Sequence, residues 1–315
     1  MNLVFAGTPA FAVPTLEALV GSGFAVRLVV TQPDRPRGRG MELTASPVKQ
    51  SALRLGLPIL QPEKIKYNEE FRAELIALKP DAIVVVGYGR IIPQWMIELP
   101  PLGNLNVHAS LLPKYRGAAP IQWAIARGET VTGATIMRID AGLDTGDILL
   151  QRELGIAPED TSETLAPRLA AMGAALMMET LRGLQAGTIA PRPQQHARAT
   201  LAPILTKEDG RIDFRRPALE IWNRLRGFQP WPGAYTTFRG KSLHVWSGRP
   251  VAMDVPCGTM QMEGHLPLAG CAPGTALELI EVQVEGKKRM SGRDFVNGYR
   301  PYNGESLGDQ QPAGV

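Results

Sequence analysis

Residues 81–87, Asp-Ala-Ile-Val-Val-Val-Gly, restrict the fold more than any other stretch of the chain. The apolar run is too short for a buried helix, and it has no polar face. Such a segment suits a central strand of a parallel sheet, where helices cover both faces. Leu3-Val4-Phe5-Ala6 is a second strand of this kind. It is followed by a helical pattern from about Ala10 to Val20 and a stop at Gly21-Ser22-Gly23. Strand patterns at 25–31 and 58–61 alternate with helical patterns at 46–55 and 68–78. Alternation of this type predicts a Rossmann-like, mostly parallel α/β sheet. The first strand lacks the G-x-G-x-x-G turn of dinucleotide-binding proteins, which argues against NAD binding.

Ligands of open α/β sheets collect at the carboxyl ends of the strands. Tyr88 and Gly89 stand there after the 81–87 strand and are read either as the wall of a ligand pocket or as a plain packing loop. The next strand, Leu105 to Ala109, runs into a turn at Ser110-Leu111-Leu112-Pro113. Side chains two apart share a face, so Asn106 and His108 point together while Val107 enters the opposite layer. Downstream, Asp140-Ala-Gly-Leu-Asp144-Thr-Gly-Asp147 forms a glycine-bracketed acidic loop. An amide and an imidazole can donate to the oxygen of a carbonyl under attack by an amine. A carboxylate beside the imidazole orients it, favours its charged form and can accept a proton. Residue pattern alone leaves Asp147 nearly equal to Asp144 for that role. A Ser110-His-Asp hydrolase triad is disfavoured because no G-x-S-x-G elbow is present. The acids and His108 also lack the spacing of a calcium loop or a zinc site, so no metal is expected.

The strand at 25–31 leads into Gln32-Pro-Asp-Arg35-Pro-Arg37-Gly-Arg39-Gly40. Prolines, glycines and arginines predict an exposed, mobile loop. It is either a solvated loop or a set of phosphate-contacting arginines. A long helix from Thr161 to about Gln185 presents Leu165, Leu169, Met172, Leu176, Met177 and Leu181 as a core face. The aperiodic segment after it predicts a division into a catalytic domain (1–189), a linker (190–203) and a second domain (204–315). A helix at 218–227 and short β-like runs at 234–238, 242–247 and 275–284 suggest a small β-barrel in that domain, of OB-like form. Lys287, Lys288 and Arg289 stand there either as part of an RNA-facing surface or as a scatter of solvated charges.

The wording Asn-Val-His-Ala-Ser-Leu-Leu-Pro-Lys-Tyr-Arg-Gly from 106, followed by Gly-Leu-Asp-Thr-Gly-Asp from 142, resembles the folate-dependent formyltransferase family. The resemblance covers nearly the whole chain. It places the family's catalytic Asn, His and Asp on Asn106, His108 and Asp144, and its folate-contacting turn on Ser110, Leu111, Leu112 and Pro113. It implies 10-formyltetrahydrofolate as formyl donor and the α-amine of methionine on initiator tRNA as acceptor. On the same ground Arg35, Arg37 and Arg39 correspond to an insertion loop that enters the tRNA acceptor arm. Rival readings are a formyltransferase for a small amine, and a non-catalytic RNA-binding module that leaves the Asn/His/Asp set unexplained.

With 315 residues the chain has room for two cores. A net charge of +4 permits a polyanionic partner without requiring one. Two cysteines, Cys257 and Cys271, suit a reducing compartment. The N-terminus runs straight into a strand, and no apolar run is long enough to span a bilayer, so a cytoplasmic protein without membrane contact is expected, with a monomer as the default.

Overall fold

The computed structural model describes residues 1–37 and 42–308. The chain forms two compact units. The first comprises Met1–Pro120, Val131–Gly155 and Ala166–Pro203, and the second Ile121–Thr130, Ile156–Leu165 and the chain from Ile204 onward.

The first unit contains strands β1 (Asn2–Gly7), β2 (Ala25–Val30), β3 (Arg35–Arg37), β4 (Glu42–Thr44), β5 (Ile59–Leu60), β6 (Ala82–Val86), β7 (Asn104–His108), β8 (Val131–Arg138) and β9 (Ile148–Gly155). Its helices are α1 (Val13–Gly21), α2 (Pro47–Arg54), α3 (Glu69–Leu78), α4 (Gln94–Ile97) and most of α6 (Ser162–Ala186), with α5 (Pro120–Ala126) lying mainly in the second unit. Seven strands make one sheet in the order β5-β2-β1-β6-β7-β8-β9. The first five are mutually parallel, β8 runs antiparallel to them, and β9, antiparallel to β8, returns to their direction.

Period-two alternation sorts the sheet residues into two layers. Leu3, Phe5, Val84, Val86, Leu105 and Val107 pack with Leu16 and Leu19 of α1 and Leu176, Met177 and Leu181 of α6. Val4, Ala6, Ile83 and Val85 face Phe71 and Leu75 of α3 and Met96 of α4. The double-sided apolar strand at 82–86 is therefore central, as its composition requires. Close packing of α6 depends on Gly173, since a Cβ there would lie 2.5 Å from Val107 Cγ1. Strand order reverses between β1 and β6, so the crevice at their carboxyl ends is the topological switch point.

The arginine-rich segment is not a plain loop. Its flanks pair as a two-stranded antiparallel hairpin, β3 with β4, in register Arg35 to Thr44 and Arg37 to Glu42. Pro36 is tolerated because a two-stranded ribbon consists of edges only. The hairpin base is fixed at Asp34, whose carboxylate accepts from Lys49 Nζ (2.5 Å) and Gln61 Nε2 (2.8 Å). These two donors hold the Asp34 carboxyl below the ordinary carboxylate range. Arg39 lies outside the described residues.

In the second unit, β10 (Ala234–Phe238), β11 (Lys241–Val251), β12 (Met260–Glu263), β13 (Leu266–Gly270), β14 (Ala276–Val284) and β15 (Met290–Ser291) form one antiparallel sheet. Its order is β10-β11-β14-β13-β12, with β15 pairing β14. Ile221 and Leu225 of α7 (Ala218–Gly227) and Phe295 of α8 (Gly292–Tyr299) complete its core against Phe238, Leu243, Leu277 and Val282. The sequence pattern did not anticipate β12, β13, β15 or α8, which are only two to eight residues long.

Candidate active site

Asn104, Asn106 and His108 share one face of β7, and their environments differ. Asn104 is fully buried and donates to the Met96 carbonyl at 2.8 Å, closing α4 onto the strand. Asn106 is half-buried, and its side-chain amide has no hydrogen-bond partner among the described residues. His108 is 6% exposed, and its Nε2 lies 2.9 Å from the Tyr115 carbonyl oxygen. A carbonyl only accepts, so Nε2 carries a proton and Nδ1 is the nitrogen left for chemistry. Nδ1 faces Asp144 Oδ2 at 3.7 Å. That distance is longer than a hydrogen bond and leaves Nδ1 open to a third group.

The loop between β8 and β9 aims Asp144. This residue takes a left-handed backbone (φ 51°), a conformation that aspartate tolerates better than most side chains. Its Oδ2 accepts the Gly117 N–H at 2.8 Å, and its carbonyl accepts from Gln194 Nε2 at 2.9 Å. Gly146 sits where a Cβ would collide with the Arg138 carbonyl at 1.9 Å, so the loop can close only with glycine there. Asp140 serves the loop itself, accepting from the Thr145 hydroxyl and the Gly142 N–H. Among the described residues Asp147 makes no ion pair with His108, and the carboxylate the fold brings beside the imidazole is that of Asp144.

The turn at 110–113 follows directly from β7. Ser110 is fully buried, and its hydroxyl donates to the Lys114 carbonyl at 2.6 Å, which removes it as a nucleophile for a hydrolase triad. The turn is fastened to the sheet through Thr135 on β8. The Thr135 hydroxyl donates to the Ser110 carbonyl (2.6 Å) and accepts from the Leu112 N–H (3.2 Å) and Gln151 Nε2 (2.9 Å). Gln151 also donates to the Leu112 carbonyl at 2.7 Å. Leu112 is buried with Met137 and Ile148, whereas Leu111 and Pro113 remain half-exposed. Of the turn, therefore, the backbone, Leu111 and Pro113 can meet a ligand.

The Tyr88 side chain is 2% exposed and packs in the core with Met96 and Phe71, so it is not a pocket wall. Its hydroxyl is buried without a partner, and burial pushes the phenol up to about 12. Its carbonyl accepts from Gln32 Nε2 (2.8 Å) and Thr8 Oγ1 (3.2 Å), and the exposed Gly89 (φ 76°) follows it at the end of the strand. Arg35 donates to Gln32 Oε1 at 3.2 Å, and Arg37 stands in β3. Lys287, Lys288 and Arg289 are exposed on the turn between β14 and β15 of the second unit, with the Arg289 guanidinium 3.4 Å above the Trp246 ring centre.

Thr135, Gln151, Arg116 and Gln194 were not visible as site residues in the sequence. For Thr135 the one usable signal was a polar residue on a buried strand face. The segment 190–203, expected as a linker, is hydrogen-bonded into the first unit: Thr200 accepts from the Tyr115 N–H (2.9 Å), and Arg192 and Ile148 exchange main-chain bonds (2.8 Å each). Among the described residues no group of three or more His, Cys, Asp or Glu is arranged to hold a metal ion, and no helix is long and apolar enough to cross a membrane.

Comparison with known proteins identifies the family. The sequence model of the formyl transferase family matches residues 1–181, and that of the formyl transferase C-terminal domain matches residues 204–300. The chain is 68% identical over 308 residues to the methionyl-tRNA formyltransferase of Koribacter versatilis (strain Ellin345), covering 98% of this chain and 99% of that one. It is 62% identical over 300 residues to the methionyl-tRNA formyltransferase of Acidobacterium capsulatum, covering 95% and 96% of the two chains. Among solved structures, the sugar 3N-formyl transferase WlaRD, crystallised with dTDP and 5-N-formyl-THF, superposes with a TM-score of 0.66 over 91% of this chain and 99% of that one. Its 18% identity makes this a likeness of fold alone. Matched by the family's sequence model over residues 1–181, more than half of its length, the chain belongs to the formyl transferase family.

Proposed function

We propose that this chain transfers the formyl group of 10-formyltetrahydrofolate to the α-amino group of methionine carried by initiator tRNA. The observation that carries the chemistry is the unpartnered amide of Asn106 beside His108, with Asp144 Oδ2 3.7 Å from Nδ1. Methionyl-tRNA as acceptor is supported by full-length relatives of that name at up to 68% identity. Bound 10-formyltetrahydrofolate supplies an activated formyl group on nitrogen. The free Asn106 amide fits this donor, since a half-buried polar group without a partner is a ready contact for a carbonyl oxygen.

In this reading Asn106 Nδ2 and a protonated His108 Nδ1 donate to the formyl oxygen as negative charge develops on it. The Tyr115 carbonyl fixes the imidazole plane. Asp144, steadied by the Gly117 N–H, accepts the proton that the attacking amine loses, directly or through water. That proton ends on the folate nitrogen that releases the formyl group. An α-amino group has a reference pKa of about 7.7–8.0, so a large neutral fraction is present near neutrality and little activation is needed. Most of the acceleration then comes from positioning. The turn at 110–113, with the backbone at Tyr88 and Gly89, flanks the folate. Arg35, Arg37, Arg39, Lys287, Lys288 and Arg289 contact tRNA phosphates. The second domain acts as an OB-like, tRNA-binding barrel after a linker at 190–203, and the protein works as a cytoplasmic monomer.

The test is formyl transfer to methionyl initiator tRNA, run beside methionyl elongator tRNA and small amines. Rapid formylation of the initiator alone is expected. Transfer to a small amine with charged tRNA ignored would retain the catalytic set and overturn the acceptor.

A further inference from the structure

The geometry points to Gln194, clamped by Arg116, as a positioning residue that sets Asp144 against His108; the inference rests on the role proposed above for Asp144. Gln194 is 6% exposed and uses both ends of its amide. Its Nε2 donates to two carbonyls of the catalytic loop, Asp144 at 2.9 Å and Gly146 at 2.7 Å. Its Oε1 accepts from Arg116 Nη2 at 2.6 Å and Nε at 3.2 Å. Arg116 is itself 7% exposed, and its Nη2 also reaches His196 Nδ1 at 3.1 Å. A buried guanidinium donating twice to one amide oxygen fixes which end of the amide is oxygen, so the N–H pair is obliged to face the loop. A charged donor on that oxygen also polarises the amide and strengthens its N–H bonds on the far side.

The clamp joins the two loops that carry the chemistry. Arg116 is the neighbour of Tyr115, whose carbonyl holds His108, and of Gly117, whose N–H holds the Asp144 carboxylate. Gln194 grips the same aspartate through its carbonyl. Asp140 restrains the loop from within through Thr145 and Gly142, and the two Gln194 bonds hold the left-handed Asp144 backbone from outside it. Without them the backbone at 144–146 can turn and change the 3.7 Å separation between Asp144 and His108. In the folded chain, then, the aperiodic segment around residue 194 is part of the catalytic support as well as a connection.

The experiment compares Gln194→Leu, which keeps the bulk and loses both ends of the amide, with Asp144→Asn and with the double variant. Steady-state formylation of methionyl-tRNA is measured as a function of pH, beside thermal unfolding. For Gln194→Leu the expected result is a loss of kcat of about ten- to a hundredfold, typical of a lost supporting contact. KM for folate and for tRNA should stay within about threefold of wild type, and the pH–rate profile should move in the direction seen for Asp144→Asn. In the Asp144→Asn background the same substitution should cost less than about twofold more, because residues acting through one another are not additive. Arg116→Lys, which retains a cation but not the fork, should reproduce part of the loss. Gln194→Leu with wild-type kcat, or fully additive losses in the double variant, would overturn the proposal. If Asp144→Asn itself retained wild-type turnover, the failure would instead belong to the active-site assignment. If Gln194→Leu does not fold, Arg116→Lys decides: an unchanged pH profile and kcat in a folded variant would sink the clamp.

Discussion

Gly117 donates its N–H to Asp144 Oδ2 at 2.8 Å from a backbone position with φ of 117°, and a Cβ on it would lie 2.7 Å from the Ala202 carbonyl oxygen. Glycine is thus required twice, for conformation and for space. Gly117→Ala should lose roughly 1–3 kcal/mol of stability, and turnover should fall more than at other strained glycines because the Asp144 anchor moves. Gly240 is the control, since its φ is 73° but nothing lies within 4 Å of its Cβ position. Gly240→Ala should cost stability alone. Denaturant melts with turnover for both variants separate the two effects, and equal activity losses would show that Gly117 matters only for folding.

Asn106 contributes nothing visible to folding, because its amide has no partner among the described residues. Asn106→Ala should therefore leave the unfolding temperature within about a degree while lowering kcat by about 10²–10³, the usual effect of removing one oxyanion donor. His108→Ala should lower turnover too, with a stability loss from the vacated Tyr115 carbonyl. Near-wild-type kcat in folded Asn106→Ala would remove the amide from the mechanism.

The parts of this fold that were legible in the sequence are those set by local period. Residues 82–86 announced a central strand because they are apolar on both faces, and Ile83 and Val84 do enter opposite layers. Asn106 and His108 were placed together by the same two-residue repeat. The pairing of 35–37 with 42–44 was missed because its proline and arginines carry no strand pattern, and pairing alone makes these residues β. Tyr88 looked like a pocket wall by position, yet the strand-end turn sends its ring into the core. Residue pattern did not separate Asp144 from Asp147, since the choice depends on a left-handed backbone and on Gly117, 27 residues away in sequence. The Arg116–Gln194 contact spans 78 residues and has no periodic signature at all.

Thr135 is the attachment point of the 110–113 turn, and its hydroxyl makes three hydrogen bonds inside the core. Thr135→Val preserves shape and leaves the Leu112 N–H without its acceptor, which costs about 1–3 kcal/mol. Because Leu111 and Pro113 ride on that turn, KM for the folate should rise several-fold while KM for tRNA is unaffected. Thr135→Ser, which restores the hydroxyl, should recover most of both. An unchanged folate KM in Thr135→Val would detach the turn from folate binding.

The second unit carries a pH dependence of its own. His244 stacks on Trp246 at 6.0 Å between ring centres and lies 5.7 Å from Tyr235. Burial, reinforced by the charge of Lys207, holds its imidazole below the ordinary value of 6.5. The unfolded chain therefore binds a proton more readily than the folded one as pH drops below 6.5, and by linkage stability rises with pH across that interval. The contribution of His244 is fully present above 6.5 and is lost as pH falls towards the folded-state value. Asp34 and Asp213, whose carboxyls are lowered from 3.8, act only in a more acidic range. Thermal unfolding at about pH 7.5 and about pH 5.5 spans the ordinary histidine value of 6.5, and the His244 variant isolates this residue. Wild type should lose more of its melting temperature between these two points than His244→Phe, which keeps an aromatic ring against Trp246 and cannot titrate. Equal losses in the two proteins would show that the buried imidazole has no part in the acid sensitivity of this unit.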